Sequence, residues 1–316
     1  MRTDILTITL NPTVDYATSA ERVYPDHKLR CSDPHIDPGG GGINVARAIR
    51  KLGGQATALV AIGGSTGAHL LQLLALEGVP TVAFQGPGET RQSMSVTDRK
   101  TMEQFRFVMP GPSWTDADVQ RGLNSIDQAA GDGTYVVLSG SQPPGVAKEF
   151  PSILADHVAG RGARLIVDTS GPALHNLLSA PHEALYVLRM DGAEAEELAG
   201  RPLPERADSA AFARDLVDKG VAHNIIVARG ADGSILANAT GAWHALGAPV
   251  KVVSKVGAGD SFVGAFTLWC ARGESLPEAL RAGVSAASAA VASEATRLCD
   301  PVLTKELFDL CKVSPV

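Results

Sequence analysis

The sequence predicts an α/β fold with a central, mostly parallel sheet, helices on both faces and a small additional β-sheet. Three observations support this fold class. Short apolar runs alternate with helical patterns along the chain. Ala, Gly, Val and Leu dominate the composition, as in buried parallel strands covered by helices. Residues 14–37 and 90–109 instead alternate polar and apolar residues without a helical period, which is typical of strand pairs.

The elements follow in order from these patterns. We expect strands at residues 5–10, 56–62, 135–138, 164–167, 185–188 and 224–228. We expect helices at residues 67–77, 147–159, 193–199 and 207–219, and further helices after the glycines at 39–42 and at 257–259. Ligands of such sheets bind at the carboxyl ends of the strands.

The two strand-pair segments leave this alternation and could form one small antiparallel sheet. Such a sheet could close over a substrate as a lid and exclude water. The alternative is two unrelated surface hairpins.

Length, charge and cysteine usage exclude several classes of protein. The 316 residues suffice for one large α/β domain. The net charge of −6 gives no basic footprint for nucleic acid, and no apolar run approaches a membrane span. Four dispersed cysteines without a C-x-x-C pair fit a reducing compartment. We therefore expect a cytoplasmic protein whose partners include neither nucleic acid nor membrane.

The segment Lys255-Val256-Gly257-Ala258-Gly259-Asp260 precedes a long apolar helix. Glycines at a helix start let backbone N–H groups converge on an anion, and the helix dipole adds positive potential there. Asp260 would lie beside this phosphate-sized pocket, where it could act as a base toward a hydroxyl. The segment predicts phosphoryl transfer.

Four consecutive glycines at residues 39–42 open another helix. The pattern is not a dinucleotide fingerprint, because Asn44 occupies the place of the third glycine, and no Gly-Lys pair supplies a Walker loop. The Asn44 amide, the Asp15 carboxylate and the hydroxyls near Ser141 could bond sugar hydroxyls. A flexible turn with a helix cap is the alternative for the glycine run.

Basic residues gather in the two strand-pair segments, namely Lys28, Arg30, Arg91 and Arg106. Such a cluster in an acidic protein predicts a phosphate on the substrate, distant from the reacting hydroxyl. Solvated surface charges are the alternative.

Asp191 and Glu194 lie three residues apart at a predicted strand-to-helix junction. The pair could hold Mg²⁺ directly or through water. Their spacing also matches a helix capping box, and from the spacing alone we favour the cap.

Several segments together carry a family resemblance: residues 24–31, 38–47, 90–92, 103–111, 139–146, 256–261 and 296–299. Through these segments the chain resembles the ribokinase-like (PfkB) sugar kinases, and the resemblance extends over essentially its whole length. The resemblance implies a single ribokinase-like kinase domain over residues 1–316, with a lid formed by about residues 12–37 and 89–110. Kinases of fructose 1-phosphate and tagatose 6-phosphate commonly carry Lys where this chain has Gly41. The resemblance therefore implies ATP-dependent phosphorylation of fructose 6-phosphate at its 1-hydroxyl, giving fructose 1,6-bisphosphate.

The resemblance also implies roles for residues on the sugar side. Asp260 would take the proton from the 1-hydroxyl. Backbone N–H groups of Gly257, Ala258 and Gly259 would stabilise charge on the transferring phosphoryl group. The residues implied to hold the sugar are Asp15, Gly40, Gly41, Asn44 and Ser141. Those implied for its 6-phosphate are Arg91 and Arg106, with Lys28 and Arg30 from a neighbouring subunit.

The resemblance likewise implies which residues would bind ATP and cations. The implied ATP-binding residues are Arg189, Asp191, Ala228, Gly230, Ser254, Lys255 and Val256. Glu194, with Asp191, would organise Mg²⁺ through water. A monovalent cation such as K⁺ would bind mainly backbone groups of Ser254, Ala290, Ser293, Ala295 and Arg297. The lid of the family commonly forms a dimer interface, so a homodimer is expected.

Departures from the family pattern concentrate on the nucleotide side. The family usually has Lys-Pro-Asn where this chain has Arg189-Met190-Asp191, Ser at position 228 and Thr at position 255. The extra carboxylate of Asp191 could bind Mg²⁺ more directly or repel ATP. Two alternatives therefore stay open. One is a kinase for tagatose 6-phosphate, fructose 1-phosphate or a nucleoside, although the basic cluster argues against an uncharged nucleoside. The other is a sugar-phosphate-binding protein with impaired catalysis.

Overall fold

A large sheet forms the centre of the molecule. The computed structural model describes residues 4–293 and 297–316. The strands in these ranges are β1 (Ile5–Thr9), β2 (Thr13–Ala20), β3 (His35–Gly39), β4 (Thr57–Ile62), β5 (Thr81–Gln85), β6 (Arg91–Asp98), β7 (Gln104–Val108), β8 (Tyr135–Ser139), β9 (Arg164–Asp168), β10 (Leu185–Asp191), β11 (Ala222–Ala228), β12 (Ser234–Asn238), β13 (Gly241–Leu246) and β14 (Lys312–Pro315).

Helices connect most of these strands. They are α1 (Gly41–Lys51), α2 (Gly64–Leu76), α3 (Asp116–Ala129), α4 (Phe150–Ala159), α5 (Gly171–Ser179), α6 (Gly192–Ala199), α7 (Arg206–Asp218), α8 (Ala258–Ala271), α9 (Leu276–Val291) and α10 (Pro301–Leu310). In the described part of the chain, none of them combines the length and the apolar character needed to cross a bilayer.

The strand order of the large sheet is β14-β13-β12-β11-β10-β9-β8-β1-β4-β5. The strands from β11 to β5 pair in parallel, which confirms the predicted mostly parallel sheet, although β5 itself was not predicted. Strands β12, β13 and β14 extend this sheet in antiparallel fashion, which the sequence patterns did not predict. Because Ser139 pairs with Asp168, and Asp168 with Arg189, the ends of β8, β9 and β10 meet at one edge.

Alternating residues of the strands face two separate cores. Val136 and Leu138 point to one face, where they pack with helices α3 to α7. Tyr135 and Val137 point to the other face, where helices α1, α2, α8 and α9 cover the sheet. Such two-sided burial explains why the parallel strands read as continuous apolar runs. The predicted helices on both faces are confirmed.

The two strand-pair segments meet in a second, four-stranded sheet with the order β3-β2-β6-β7, which we call the small sheet. Strand β2 pairs with β6 along its whole length, from Thr13 opposite Arg91 to Ala20 opposite Asp98. The segments are therefore not two unrelated hairpins. The expected purely antiparallel pairing was wrong, because β2 and β6 run in the same direction and pair in parallel.

Arg47 of α1 ties the small sheet to the main body. Its Nη2 lies 2.9 Å from Oδ1 of Asp37 and 2.7 Å from Oε1 of Glu77, and its Nη1 donates to the Pro38 carbonyl at 3.0 Å. The side chain is only 3 % exposed. Since a buried guanidinium needs such partners, α1, α2 and β3 are held together at this point.

Helix boundaries differ from the predicted ones by a few residues. Helix α2 begins at Gly64 rather than at residue 67, and α4 begins at Phe150 rather than at 147. Pro151 lies in the first turn of α4, where a missing N–H costs nothing. Helices α3, α5, α9 and α10 were not predicted.

Candidate active site

A cavity of about 380 Å³ lies between the small sheet and the N-terminal ends of α1 and α8. The small sheet contributes Asp15, Arg91 and Arg106 to its lining. Helices α1 and α8 contribute Asn44 and Asp260. The predicted lining residues Gly40, Gly257, Lys255 and Val256 also border it. The cavity thus joins the basic residues of the small sheet to the helix start that carries Asp260.

Asp260 receives two side-chain hydrogen bonds. Nδ2 of Asn44 donates to its Oδ2 at 3.0 Å, and Oγ of Ser139 donates to its Oδ1 at 3.4 Å. Burial raises the pKa of Asp260 to about 6, although these two donors favour the ionised form. The group is therefore mostly ionised at neutral pH but basic enough to accept a proton.

Gly257 precedes α8 in the left-handed conformation, with φ of 75°. This conformation favours glycine, and a Cβ at this position would also push the end of the Leu298 side chain, whose Cδ2 would lie 2.5 Å away. The first N–H groups of a helix have no acceptor within it. The N–H groups that follow Gly257 are thus available to an anion, as predicted from the sequence.

The glycines at the start of α1 allow a close backbone approach. A Cβ on Gly41 would lie 2.5 Å from the carbonyl carbon of Ser139 and 2.6 Å from the nitrogen of Gly140. Gly40 has φ of 113°. The run therefore brings α1 against the loop that carries Ser139, one of the donors to Asp260. Gly41 itself does not border the cavity.

Asp15 and Arg91 occupy the end of the cavity away from α8. Burial raises the pKa of Asp15, while its hydrogen bond from Thr13 lowers it. Arg91 donates to the carbonyl of Asn11 from Nε at 3.3 Å and from Nη2 at 3.2 Å. Burial lowers the pKa of Arg91, and the nearby Asp15 carboxylate opposes that shift. This end offers one carboxylate and one arginine, with Arg106 exposed on β7 beside them.

Besides Gly41, three predicted sugar-side residues lie outside the cavity of this chain. Lys28 and Arg30 are exposed and do not border it. Ser141 is also exposed, and its Oγ accepts from Nδ2 of Asn11 at 3.4 Å.

The predicted nucleotide-side residues follow the same sheet edge. Asp191 at the end of β10 pairs with Ala228 at the end of β11, and Gly230 begins a short 3₁₀ turn just beyond. Lys255 and Val256 border the cavity on its α8 side.

Asp191 and Glu194 form the capping box of α6. Glu194 N donates to Oδ1 of Asp191 at 2.9 Å, and Asp191 N donates to Oε2 of Glu194 at 2.8 Å. The capping box that the spacing of Asp191 and Glu194 favoured is therefore confirmed. Burial raises the pKa of Glu194. The second oxygen of each carboxylate has no hydrogen-bond partner within the described ranges.

Protein carboxylates do not form a metal cage here. Within residues 4–293 and 297–316, no three His, Cys, Asp or Glu side chains converge as metal ligands. The two remaining oxygens of Asp191 and Glu194 still fit Mg²⁺, which usually keeps several waters and binds substrate phosphates.

Arg189 forms an ion pair at the end of β10. Its Nη1 is 2.9 Å from Oδ1 of Asp168, and its guanidinium lies against Gly259 at the first turn of α8. It does not border the cavity. Sequence reasoning missed Asp168 as a site residue. The one available signal was its position at the end of a buried strand, on the edge where ligands bind.

The predicted cation-binding residues partly come together. Val253 N and Ser254 N donate to the Val291 carbonyl at 2.7 and 3.2 Å, which joins this loop to the end of α9 near Ala290. Oγ of Ser293 donates to the Ala289 carbonyl at 3.0 Å, and Arg297 is exposed. Ala295 lies outside the described residues.

Comparisons with known proteins show the family of the chain. Residues 4–303 match the profile described as pfkB family carbohydrate kinase. ATP-dependent 6-phosphofructokinase isozyme 2 of Escherichia coli is 41 % identical over 304 residues, which are 96 % of this chain and 97 % of that protein. The enzyme of the same name from Mycobacterium tuberculosis is 39 % identical over 306 residues, 97 % of this chain and 89 % of that protein.

Solved structures resemble the fold closely. Phosphofructokinase-2 from Escherichia coli in complex with potassium superposes with a TM-score of 0.91 at 40 % identity, covering 97 % of this chain and 98 % of that one. The same protein in complex with fructose-6-phosphate gives a TM-score of 0.89 at 39 % identity, with the same coverage.

Proposed function

The chain belongs to the pfkB family of carbohydrate kinases, and from that membership we propose that it transfers the γ-phosphoryl group of ATP to the 1-hydroxyl of fructose 6-phosphate. The relatives from Escherichia coli and Mycobacterium tuberculosis are named ATP-dependent 6-phosphofructokinase isozyme 2, and a relative from Bacillus subtilis, 31 % identical, is named 1-phosphofructokinase. The observation that carries the proposal is one cavity that Asp260, the arginines of the small sheet and Gly257 before α8 all line.

The sugar phosphate would span that cavity. Arg91 and Arg106 would hold its 6-phosphate through charge-assisted hydrogen bonds. Asp15, Asn44 and the backbone at Gly40 would bind hydroxyls, while Gly41 would keep α1 against the loop that carries Ser139. The 1-hydroxyl would then lie at Asp260, which lines the same cavity.

Asp260 would take the 1-hydroxyl proton as the new O–P bond forms. Asn44 and Ser139 hold the carboxylate in place. The N–H groups of Ala258 and Gly259, after Gly257, would receive charge that develops on the phosphoryl oxygens. When bound, Mg²⁺ would offset the charge of the ATP phosphates. Most of the rate acceleration would then come from positioning and charge stabilisation.

The nucleotide would bind along the edge formed by the ends of β10 and β11. Ala228, Gly230, Ser254, Lys255 and Val256 lie toward this side. Glu194 and Asp191 would organise Mg²⁺ through water with their second oxygens. Lys255, exposed at the cavity border, would offset the extra charge of Asp191.

The small sheet would act as a lid and as a dimer interface. All five residues of its edge strand β7 are exposed, including Phe105 and Phe107. Exposed apolar edges of this kind mark interaction surfaces. Lys28 and Arg30, which lie outside this chain's cavity, would complete a neighbouring subunit's site.

Two further proposals follow from the relatives. A K⁺ ion would bind the backbone near Ser254, Ala290 and Ser293; the Escherichia coli phosphofructokinase-2 structure holds potassium. The protein would work in the cytoplasm, where ATP is regenerated and four unpaired cysteines stay reduced.

A panel of sugar phosphates tests the substrate assignment. ADP release would be measured with ATP, Mg²⁺ and fructose 6-phosphate, tagatose 6-phosphate, fructose 1-phosphate or a nucleoside. We expect the highest kcat/KM with fructose 6-phosphate, and fructose 1,6-bisphosphate as the product. A preference for another acceptor would replace the assignment.

Calorimetry tests the alternative that the chain is a sugar-phosphate-binding protein with impaired catalysis. Binding of fructose 6-phosphate without ATP binding at millimolar Mg²⁺, together with no ADP release, would indicate a sugar-phosphate-binding protein instead of a kinase.

A further inference from the structure

All five N–H donors of the buried Arg47 guanidinium meet an acceptor. Nε and Nη2 each donate at 2.7 Å to one carboxylate oxygen of Glu77, and Nη2 also donates to Oδ1 of Asp37 at 2.9 Å. Nη1 donates to the Pro38 carbonyl at 3.0 Å and to Oδ1 of Asn44 at 3.2 Å. The bidentate pair with Glu77 fixes the plane of the guanidinium, so its Nη1 edge is held toward Asn44.

The contact with Arg47 determines which way the Asn44 amide faces. The oxygen and nitrogen of an amide have nearly the same shape, so the hydrogen-bond partners decide its orientation. Arginine has donors only, and the atom of Asn44 that faces it is therefore Oδ1. Nδ2 is then left to donate to Oδ2 of Asp260 at 3.0 Å. In a flipped amide an oxygen would face the Asp260 carboxylate and an N–H group would face the cation, so both contacts would be repulsive.

A purely structural role for Arg47 does not require the bond to Asn44. The two residues lie three positions apart on the same helix, so a bond between them adds nothing to the joint among α1, α2 and β3. The bonds to Asp37, Pro38 and Glu77 already make that joint. The bond to Asn44 instead acts on a group that donates to the proposed base.

The same guanidinium also holds the small sheet. Asp37 and Pro38 belong to β3, and Asp37 lies opposite Asp15 of β2, a proposed sugar ligand. The strand and the Asn44 amide are thus bonded to one planar, rigid group. A shift of β3 relative to α1 would therefore also change the bond that orients the amide.

We propose that Arg47 is a positioning residue that directs the Asn44 amide toward Asp260 and ties this orientation to strand β3 of the small sheet. The inference rests on the proposed kinase function, in which Asp260 is the base, and deepens it. Arg47 does not border the cavity, stays protonated and takes no part in the proton transfer.

The pH profile of Arg47→Lys tests the proposal. A lysine ammonium keeps the charge between Asp37 and Glu77 but cannot hold Asn44 in a fixed direction as well. Because the ionised form of Asp260 then loses a donor, we expect the acid limb of kcat/KM to move up by about one pH unit. We also expect kcat at pH 8 to fall about tenfold or more, since the base is less well positioned. Arg50→Lys is the matched control, because Arg50 is exposed on the same helix and should leave both values unchanged.

A double-mutant cycle separates positioning from general stability. If Arg47 acts through Asn44, adding Arg47→Lys to Asn44→Ala should move the acid limb by less than about 0.3 pH unit beyond Asn44→Ala alone. Asp168 and Arg189 also act on the charge of Asp260, but they are the same in all four proteins of the cycle. Arg47→Met combined with Glu77→Leu removes the ion pair without leaving the Glu77 carboxylate unpaired. It should give the same shift, so the test does not depend on how stable Arg47→Lys is.

Two results would overturn the proposal. One is an acid limb that stays in place in Arg47→Lys, and the other is an equal further shift when Arg47→Lys is added to Asn44→Ala. Titration of the Asp260 carboxyl by NMR with ¹³C-labelled aspartate, assigned by its loss in Asp260→Asn, reads the same shift without any substrate. If the wild type releases no ADP with any sugar phosphate, the proposed function fails, and the NMR titration still decides whether Arg47 acts on Asp260.

Discussion

At the scale of single residues, Asp260 is the proposed catalytic base, and its surroundings set its proton affinity. Burial raises its pKa and the nearby Asp168 charge adds to the rise, while Asn44, Arg189 and Ser139 oppose it. The outcome is a pKa of about 6, between an ordinary aspartate and neutral pH. A base tuned to this range is ionised in the cell yet accepts a proton readily.

The pH dependence of kcat/KM follows from this pKa. Because the pKa of Asp260 is raised to about 6, kcat/KM should fall as the pH drops through that value and stay level above it. Asn44→Ala removes a donor to the ionised form, so the acid limb should move to higher pH. Titration of the sugar phosphate itself is the same for both proteins. An unchanged limb in Asn44→Ala would show that Asp260 does not control it.

Gly41 tests the contact between α1 and the Ser139 loop. In Gly41→Ala the new Cβ would meet Ser139 and Gly140 backbone atoms at 2.5–2.6 Å. We expect a loss of about 1–3 kcal/mol in the free energy of unfolding and a lower kcat, because Ser139 shifts away from Asp260. Urea denaturation and ADP release measure the two effects. Gly160→Ala is the control, since its Cβ would make only ordinary contacts at 3.7 Å. Equal unfolding free energies and equal kcat values for Gly41→Ala and Gly160→Ala would contradict the importance of this contact.

At the scale of elements, the joint among α1, α2 and β3 depends on one buried arginine. Arg47→Leu would leave the carboxylates of Asp37 and Glu77 without the guanidinium that they share. Breaking a buried ion pair from one side costs about 3–5 kcal/mol. We therefore expect the midpoint of chemical denaturation to fall clearly for Arg47→Leu. Arg50→Leu, exposed on the same helix, should change it little. A similar fall of the denaturation midpoint in both variants would contradict the stabilising role assigned to Arg47.

Sequence patterns predicted the elements with strong local signals. The parallel strands, α1 and α8 have apolar periodicity and glycine starts that are visible in a short window. Helix α9 was missed although Glu278, Arg281 and Ser285 recur at helical spacing. Helix α3 was missed although Thr115 and Asp118 form a capping box that the sequence could have indicated. Strands β12 to β14 are antiparallel additions at an edge, which alternation of strands and helices does not reveal.

Site residues, like the elements, were predicted where a local sequence pattern marked them and were missed where none did. Asp260, Asn44, Arg91 and Asp15 were found because each belongs to a local motif or charge cluster. The contact of Arg189 with Asp168 was missed, because it depends on the register between β9 and β10. Residues that come together only through sheet register leave no local pattern.

At the scale of the whole molecule, the small sheet leaves an apolar edge uncovered. Phe105 is 37 % and Phe107 is 49 % exposed on β7. Phe107→Glu should convert the proposed dimer to monomers in sedimentation experiments, because a charge would be buried in the interface. It should also raise the KM for fructose 6-phosphate if Lys28 and Arg30 reach across. Leu76→Glu, with Leu76 85 % exposed on α2, is the control and should remain dimeric. A monomeric wild type would refute this interface.

The most direct test of the whole account compares the wild type with Asp260→Asn. ADP release with fructose 6-phosphate, ATP and Mg²⁺ gives turnover, and calorimetry gives the affinity for the sugar phosphate. We expect Asp260→Asn to lose about 10²–10⁴-fold in kcat while binding fructose 6-phosphate as the wild type does. An Asp260→Asn variant that keeps most of its turnover would contradict the assignment of Asp260 as the base.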